Sequence, residues 1–145
     1  MKEHVHEAAR RARQAAAVLA LATRAAKDSA LTAMAEALVQ STDQILAANE
    51  ADVTAARSDG TPENVIDRLA LDEDRVASFA QGVQDIAALP DPVGEVVRGS
   101  TLPNGLELRQ IRVPIGVIGM IYEGRPNVTA DAAAICLKAG SASLL

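Results

Sequence analysis

The sequence predicts an α/β chain: helices over residues 1–90, a β-hairpin over 91–113, and over 114–145 the first strand, helix and strand of an open, doubly wound parallel sheet. Three observations carry this. Up to Leu89, apolar residues recur at helical spacing between capping signals. At Pro90-Asp91-Pro92 the period changes from 3.6 to 2, on both sides of Pro103-Asn104-Gly105. Finally, VPIGVIGMIYEGRPNVTADAAAICLKAGSASLL (113–145) passes from an apolar run through a loop and an amphipathic stretch to a second apolar run, which is strand, loop, helix, strand.

In chain order, the first helix carries Val5, Ala9, Ala12, Ala16, Leu19 and Ala26 on one stripe, with Glu7 and Arg11 paired on its wet face. Arg10, Arg11 and Arg13 ahead of Ala15–Ala22 imitate a signal peptide, but Glu3 and Glu7 and the unbroken stripe argue for a helix of the mature fold. A second helix starts near Asp28 or Ser29 and buries Leu31, Met34, Ala35 and Leu38. Ser41 and Gln44 form a capping-box pattern for a third, with Leu46, Val53 and Ala56 on one face up to Gly60. Thr61-Pro62-Glu63 opens a short fourth helix, with the proline at its first position. Asp72 caps a fifth that buries Val76, Phe79, Ala80, Val83 and Ala87 and tolerates Gly82 at a cost of about 1 kcal/mol.

The hairpin arms are Val93–Leu102 and Leu106–Val113. Leu106 and Leu108 share one phase, Ile111 and Val113 the other. Either a bulge or a change of strand partner near Arg109-Gln110 accounts for this. Ile115–Tyr122 then reads as a strand buried on both faces, with Gly116 and Gly119 letting another element pack close. Lying inside a strand, those glycines are no dinucleotide fingerprint. In the last helix Val128, Ala132, Ile135, Cys136 and Ala139 fall at helical spacing, Lys138 favours the negative end of the dipole, and Gly140 takes the left-handed position beyond it.

Composition excludes several classes. Phe79 and Tyr122 are the only aromatic residues, so the core is aliphatic. The net charge of −5 disfavours nucleic acid, whose binding rests on Lys and Arg neutralising phosphates. A lone cysteine, Cys136, rules out an internal disulfide and a cysteine-based metal site and suits a reducing cytoplasm. The longest apolar stretch falls well short of the roughly 20 residues of a membrane span. His4 and His6, two apart on a helix, diverge and read as solvated rather than as metal ligands.

In open α/β sheets ligands collect at the carboxyl ends of the strands, which singles out the loop Glu123, Gly124, Arg125, Pro126, Asn127. The guanidinium of Arg125 suits a carboxylate or phosphate beside a helix N-terminus; its alternatives are solvation or a pair with Glu123. Asn127 has two open roles, capping the helix or donating to an oxyanion. Cys136, mid-helix among apolar residues, reads as structural.

Arg112–Gly140, together with LDEDRV (71–76), LPDPVGEV (89–96) and ILAANEADV (45–53), resembles the γ-glutamyl phosphate reductases (glutamate-5-semialdehyde dehydrogenases) of the aldehyde dehydrogenase superfamily. Ser141 and Ser143 depart from the family pattern, which usually has Asn after the glycine and a more branched strand. The resemblance implies the N-terminal portion of a longer enzyme, with 114–145 opening an aldehyde-dehydrogenase-like NADPH-binding domain and the hairpin belonging to a subunit contact in a homo-oligomer. It also implies reduction of L-glutamyl 5-phosphate to L-glutamate 5-semialdehyde with NADPH and release of phosphate, a cytoplasmic step of proline biosynthesis. No catalytic residue then falls within 1–145 except Asn127 as a possible oxyanion donor, the nucleophilic cysteine being expected beyond residue 145, and the chain alone is expected to be inactive. The alternative is a non-catalytic oligomerisation or interaction module derived from an aldehyde dehydrogenase.

Overall fold

The structure is a computed structural model and describes residues 2–145. Helix α1 spans Lys2–Leu19 and stops there, so the expected stripe does not continue to Ala26. Thr23 ends it: with an extended backbone its hydroxyl accepts from the Ala26 N–H at 3.2 Å and starts α2, Arg24–Gln40, four residues before Asp28. Only the C-terminal half of the α1 stripe is covered. Ala12 and Ala16 pack with Leu19 against Ala142, whereas Val5 and Ala9 are exposed. Glu7 pairs with Arg10 at 2.6 Å, one residue short of the expected Arg11.

Helices α3 (Thr42–Ser58), α4 (Glu63–Leu69) and α5 (Glu73–Ala88) follow. Ser41 ends α2 and begins α3 with a backbone of φ −98°, ψ 10°. Two helices abut there, so the extended conformation of a capping serine is lost and the expected cap bond is not made. Pro62 stands one position earlier than expected, as the cap residue of α4. Asp72 caps α5 by accepting from the Arg75 N–H at 2.7 Å.

The core lies where α2, α5 and the later α6 meet: Leu31, Ala35, Ala80, Val83, Ala130 and Ala134, ringed by Met34, Leu38, Phe79, Ile86, Ala87 and Leu137. Each fully buried Leu or Val contributes about 1.5–3 kcal/mol relative to exposure. Gly82 faces α6, and a Cβ there would stand 3.6 Å from the Asp131 carboxylate, an ordinary contact, so no steric demand requires glycine at this position.

Strands β1 (Val96–Thr101) and β2 (Glu107–Ile111) pair antiparallel around the turn, where the Asn104 side chain accepts from the Leu106 N–H at 3.1 Å and Gly105 holds φ +88°. The register slips between Val96 and Arg98, a bulge that makes Val97 the extra residue of β1; β2 alternates without a break, so the bulge does not produce the phase change expected near Arg109-Gln110. Every residue of both strands is exposed.

The expected doubly buried strand is not observed. Ordered pairing covers only β3, Val117–Gly119, parallel to β4, Ala142–Leu144, with α6, Pro126–Lys138, as the crossover. Ile115 is 82% and Ile121 100% exposed. A parallel strand is buried by neighbours on both edges and helices on both faces, and here there is one neighbour and one crossover helix. Nor do the two glycines admit a neighbour: a Cβ on either would meet nothing within 4 Å, and Gly116 serves instead to hold φ +109° before the strand. Among the described residues no helix is long and apolar enough to cross a membrane.

One polar residue of the helical layer escapes any apolar pattern. Asn49 is buried on α3, donates to the Leu69 carbonyl at 2.9 Å and accepts from the Leu71 N–H at 2.8 Å, tying the link between α4 and α5 to α3. Asn49→Ala orphans both backbone groups, so a urea titration is expected to show a loss of about 1–3 kcal/mol; an unchanged midpoint contradicts this role.

Candidate functional site

The loop 123–127 is placed by the elements around it. The Met120 N–H donates to the Leu144 carbonyl at 3.0 Å, extending the β3–β4 ladder to the start of the loop. Tyr122 shares a 2.6 Å hydrogen bond with Thr129 on the first turns of α6, and Gly124, at φ +57°, lies close to Val65 of α4. Pro126 then opens α6 at its first position. The loop therefore stands at the carboxyl end of β3 and the N-terminus of α6, the crevice position of open α/β sheets.

Arg125 is the residue before the first turn, with φ −138° and ψ 85°, and its side chain is exposed. Among the described residues no ion pair joins it to Glu123, which is also exposed. Asn127 does not cap the helix, because it lies within the first turn; its amide donates to the Asp131 carboxylate one turn on, at 3.1 Å. One of its two N–H donors is left over. Arg125 and Asn127 thus sit together at the head of α6, one solvated and one half-committed.

The other end of α6 is fastened by the expected glycine and by a serine that has no obvious sequence signature. Gly140 and Ser141 close the helix with paired hydrogen bonds, the Gly140 N–H to Leu137 O at 3.0 Å and the Ser141 N–H to Cys136 O at 2.8 Å. Gly140 has φ +69°, and a Cβ there would fall 3.1 Å from Pro114. The buried hydroxyl of Ser141 accepts from the N–H groups of Ile115, at 3.1 Å, and Gly116, at 3.4 Å, and so sets the entry of β3.

Lys138, in the last turn of α6 and expected there to answer the helix dipole, is buried, donating to Asp28 of α2 and to the Ala87 carbonyl at the end of α5. Beside it Lys27, 2% exposed, holds both oxygens of Asp91 at 2.7 Å. The hydrogen bond from Lys138 holds the Asp28 carboxyl below its usual value of 3.8, and Arg24 adds to this. Burial pulls Asp91 upward, but its bonds from Lys27 and the Val93 N–H together win and hold it low as well. Lys27 precedes Leu31 and Ala35 at four-residue steps, so a lysine on the buried stripe of α2 was the available signal.

Cys136 is buried on α6, and burial pushes its thiol upward, away from thiolate character. His4 and His6 are exposed on α1, and among the described residues no group of three His, Cys, Asp or Glu side chains is placed to hold a metal ion. Replacing Cys136 by Ser in the 145-residue chain is expected to lower stability by about 1–3 kcal/mol, the cost of burying a hydroxyl without a partner. Thiol titration supplies the companion measurement: Cys136 is expected to react with an aromatic disulfide only after denaturation, and rapid reaction in the folded chain contradicts its burial.

No family model matches this sequence. The chain is 62% identical over 145 residues to a γ-glutamyl phosphate reductase of Thermobifida fusca (strain YX), covering 100% of this chain and 35% of that protein. In structure it is similar to the γ-glutamyl phosphate reductase of Thermotoga maritima, with TM-score 0.91 and 42% identity over 96% of this chain and 34% of that one. The enzyme of the same name from Saccharomyces cerevisiae gives TM-score 0.89 and 33% identity, over 94% and 35% respectively. The chain spans about a third of the length of these relatives. In sequence and in the course of its backbone, this chain matches the N-terminal portion of the γ-glutamyl phosphate reductases.

Proposed function

We propose that the chain is the N-terminal part of an enzyme that reduces L-glutamyl 5-phosphate to L-glutamate 5-semialdehyde with NADPH and releases phosphate, a step of proline biosynthesis. What supports this is the 62% identity over all 145 residues to a reductase of that name, combined with the position of the 123–127 loop at the carboxyl end of β3. A cysteine thiolate outside residues 1–145 attacks the acyl carbon and phosphate departs with the bonding electrons, leaving a thioester that would be reduced in the complete enzyme. In this chain Arg125 presents an exposed guanidinium to a carboxylate or phosphate, and the uncommitted N–H of Asn127 donates to the developing oxyanion.

The residues present do not by themselves fit NADPH. One crossover unit, β3–α6–β4, with an open edge on each strand, provides no floor for the adenosine half, so no step is assigned to the cofactor here. A reducing cytoplasm suits the single free thiol.

A specific observation also favours association between copies. Val96, Val97, Leu106, Leu108 and Ile111 of the hairpin are each about half exposed, at 47–53%, and strands bare on both faces are marginal in water. A second copy of the chain at the 93–113 hairpin covers them.

Two outcomes test the enzymatic role. The 145-residue chain alone is expected to show neither reductase turnover nor saturable NADPH binding where a complete relative shows both; turnover of glutamyl phosphate by the pure chain overturns the placement of the active site. In a complete relative, Lys in place of the arginine matching Arg125 is expected to raise KM for the acyl phosphate or lower kcat about tenfold, since an ammonium keeps the charge but loses the planar fork. Unchanged kinetics assign Arg125 to solvent.

A further inference from the structure

The four charges between the helical layer and the α6 end of the chain do more than neutralise one another. We propose that Lys27, Asp28, Asp91 and Lys138 form an acid-sensitive latch, which holds α6, β4 and the base of the hairpin onto the helical layer and opens before that layer unfolds. Each pair ties α2 to a different part of the chain. Asp28 of α2 faces Lys138 of α6, with Arg24 of α2 beside it at 3.3 Å. Asp91, between α5 and β1, faces Lys27 of α2 and accepts from the Val93 N–H at 3.0 Å, with the charge of Lys138 also acting on it. From α5 the Ala87 carbonyl accepts from Lys138 at 2.7 Å.

The asymmetry of burial makes this a latch. The lysine side chains are 1% and 4% exposed, the carboxylates 16% and 30%. Protons from solvent reach the partly exposed carboxylates, whereas the ammonium groups behind them are shut off from water. Neutralising the aspartates therefore strands two buried cations, a state relieved only when the ammoniums reach water. Lys138 gets there by moving the C-terminal turn of α6 off α2 and α5, and Lys27 by freeing the 91–93 turn. The contact of α2 with α5 runs through Leu31, Ala35, Ala80 and Val83, which carry no charge and feel no such change.

The sign follows from the carboxyls. Both are held below 3.8 in the folded chain, so their stabilisation is present above the unfolded value and is lost as pH falls through the folded values. The latch is accordingly closed at neutral pH and opens below about pH 4.

Amide hydrogen exchange of the 145-residue chain, followed by mass spectrometry and corrected for intrinsic rates, tests it across this range. Residues 91–94 and 130–144 are expected to lose protection about tenfold or more at an acidic pH where 31–38 and 76–86 retain theirs. Asp28→Asn and Asp91→Asn are expected to show the same partial opening already at neutral pH. Should those variants fail to fold, the paired replacement Asp28→Leu with Lys138→Met removes that ion pair as a unit, and it is expected to diminish the acid step at 130–144. Simultaneous loss of protection in both regions at every pH overturns the proposal, as does an undiminished acid step in the paired replacement.

Discussion

Two lysines inside a small aliphatic core are the constraint to which the rest of this chain answers. Lys27 and Lys138, 111 residues apart in sequence, are buried on different helices, and each requires a carboxylate brought to it: Asp91 from the turn before the hairpin, Asp28 from α2. A buried ammonium without a partner is far costlier than one with a partner, so the register of α6 on α2 and the path of the 91–93 turn are coupled through these pairs. Alanine-lined contacts, which slide easily, do not specify such a register by shape alone.

The small residues have their own consequence. Helix α6 buries Ala130, Ala132, Ala134, Cys136 and Lys138, so it is covered on more than one side, by α2 and α5 and by β4. Short side chains let it sit between these layers, and its two ends then serve different purposes. The C-terminal end is fastened by Gly140, Ser141 and Lys138, and the N-terminal end carries Arg125 and Asn127 at the surface. Rigid at one end and open at the other, the helix holds the loop out beside the β3 edge.

What the chain leaves bare has one physical origin. Ile115, Ile121 and Val113 are exposed, and so is the whole of β1 and β2. The apolar run that holds Ile115 and Ile121 has the composition of a buried strand, and burial of a strand is a property of its neighbours rather than of itself. The relatives, of which this chain spans about a third, are long enough to contain such neighbours.

Local signals in the sequence determined a good deal. Asp72, Pro62, the Asn104-Gly105 turn and Gly140 mark ends and turns that depend on a few adjacent atoms, and they lie at or within one residue of where spacing placed them. The order of elements and the exposed loop at the head of α6 follow from the same short-range chemistry. Other assignments needed the fold. The capping hydroxyl of Ser41 was undone by an abutting helix; Asn127 gave its amide to Asp131; and Lys138 turned inward to Asp28. Ile135, placed by periodicity on the buried stripe, is 57% exposed because it falls between two covered faces of α6, one with Ala130, Ala134 and Lys138 and one with Ala132 and Cys136. Each of these outcomes depends on a group distant in sequence or on which side of a helix another element arrives. Periodicity along one strand or helix carries no information about that, and only the tertiary structure decides it.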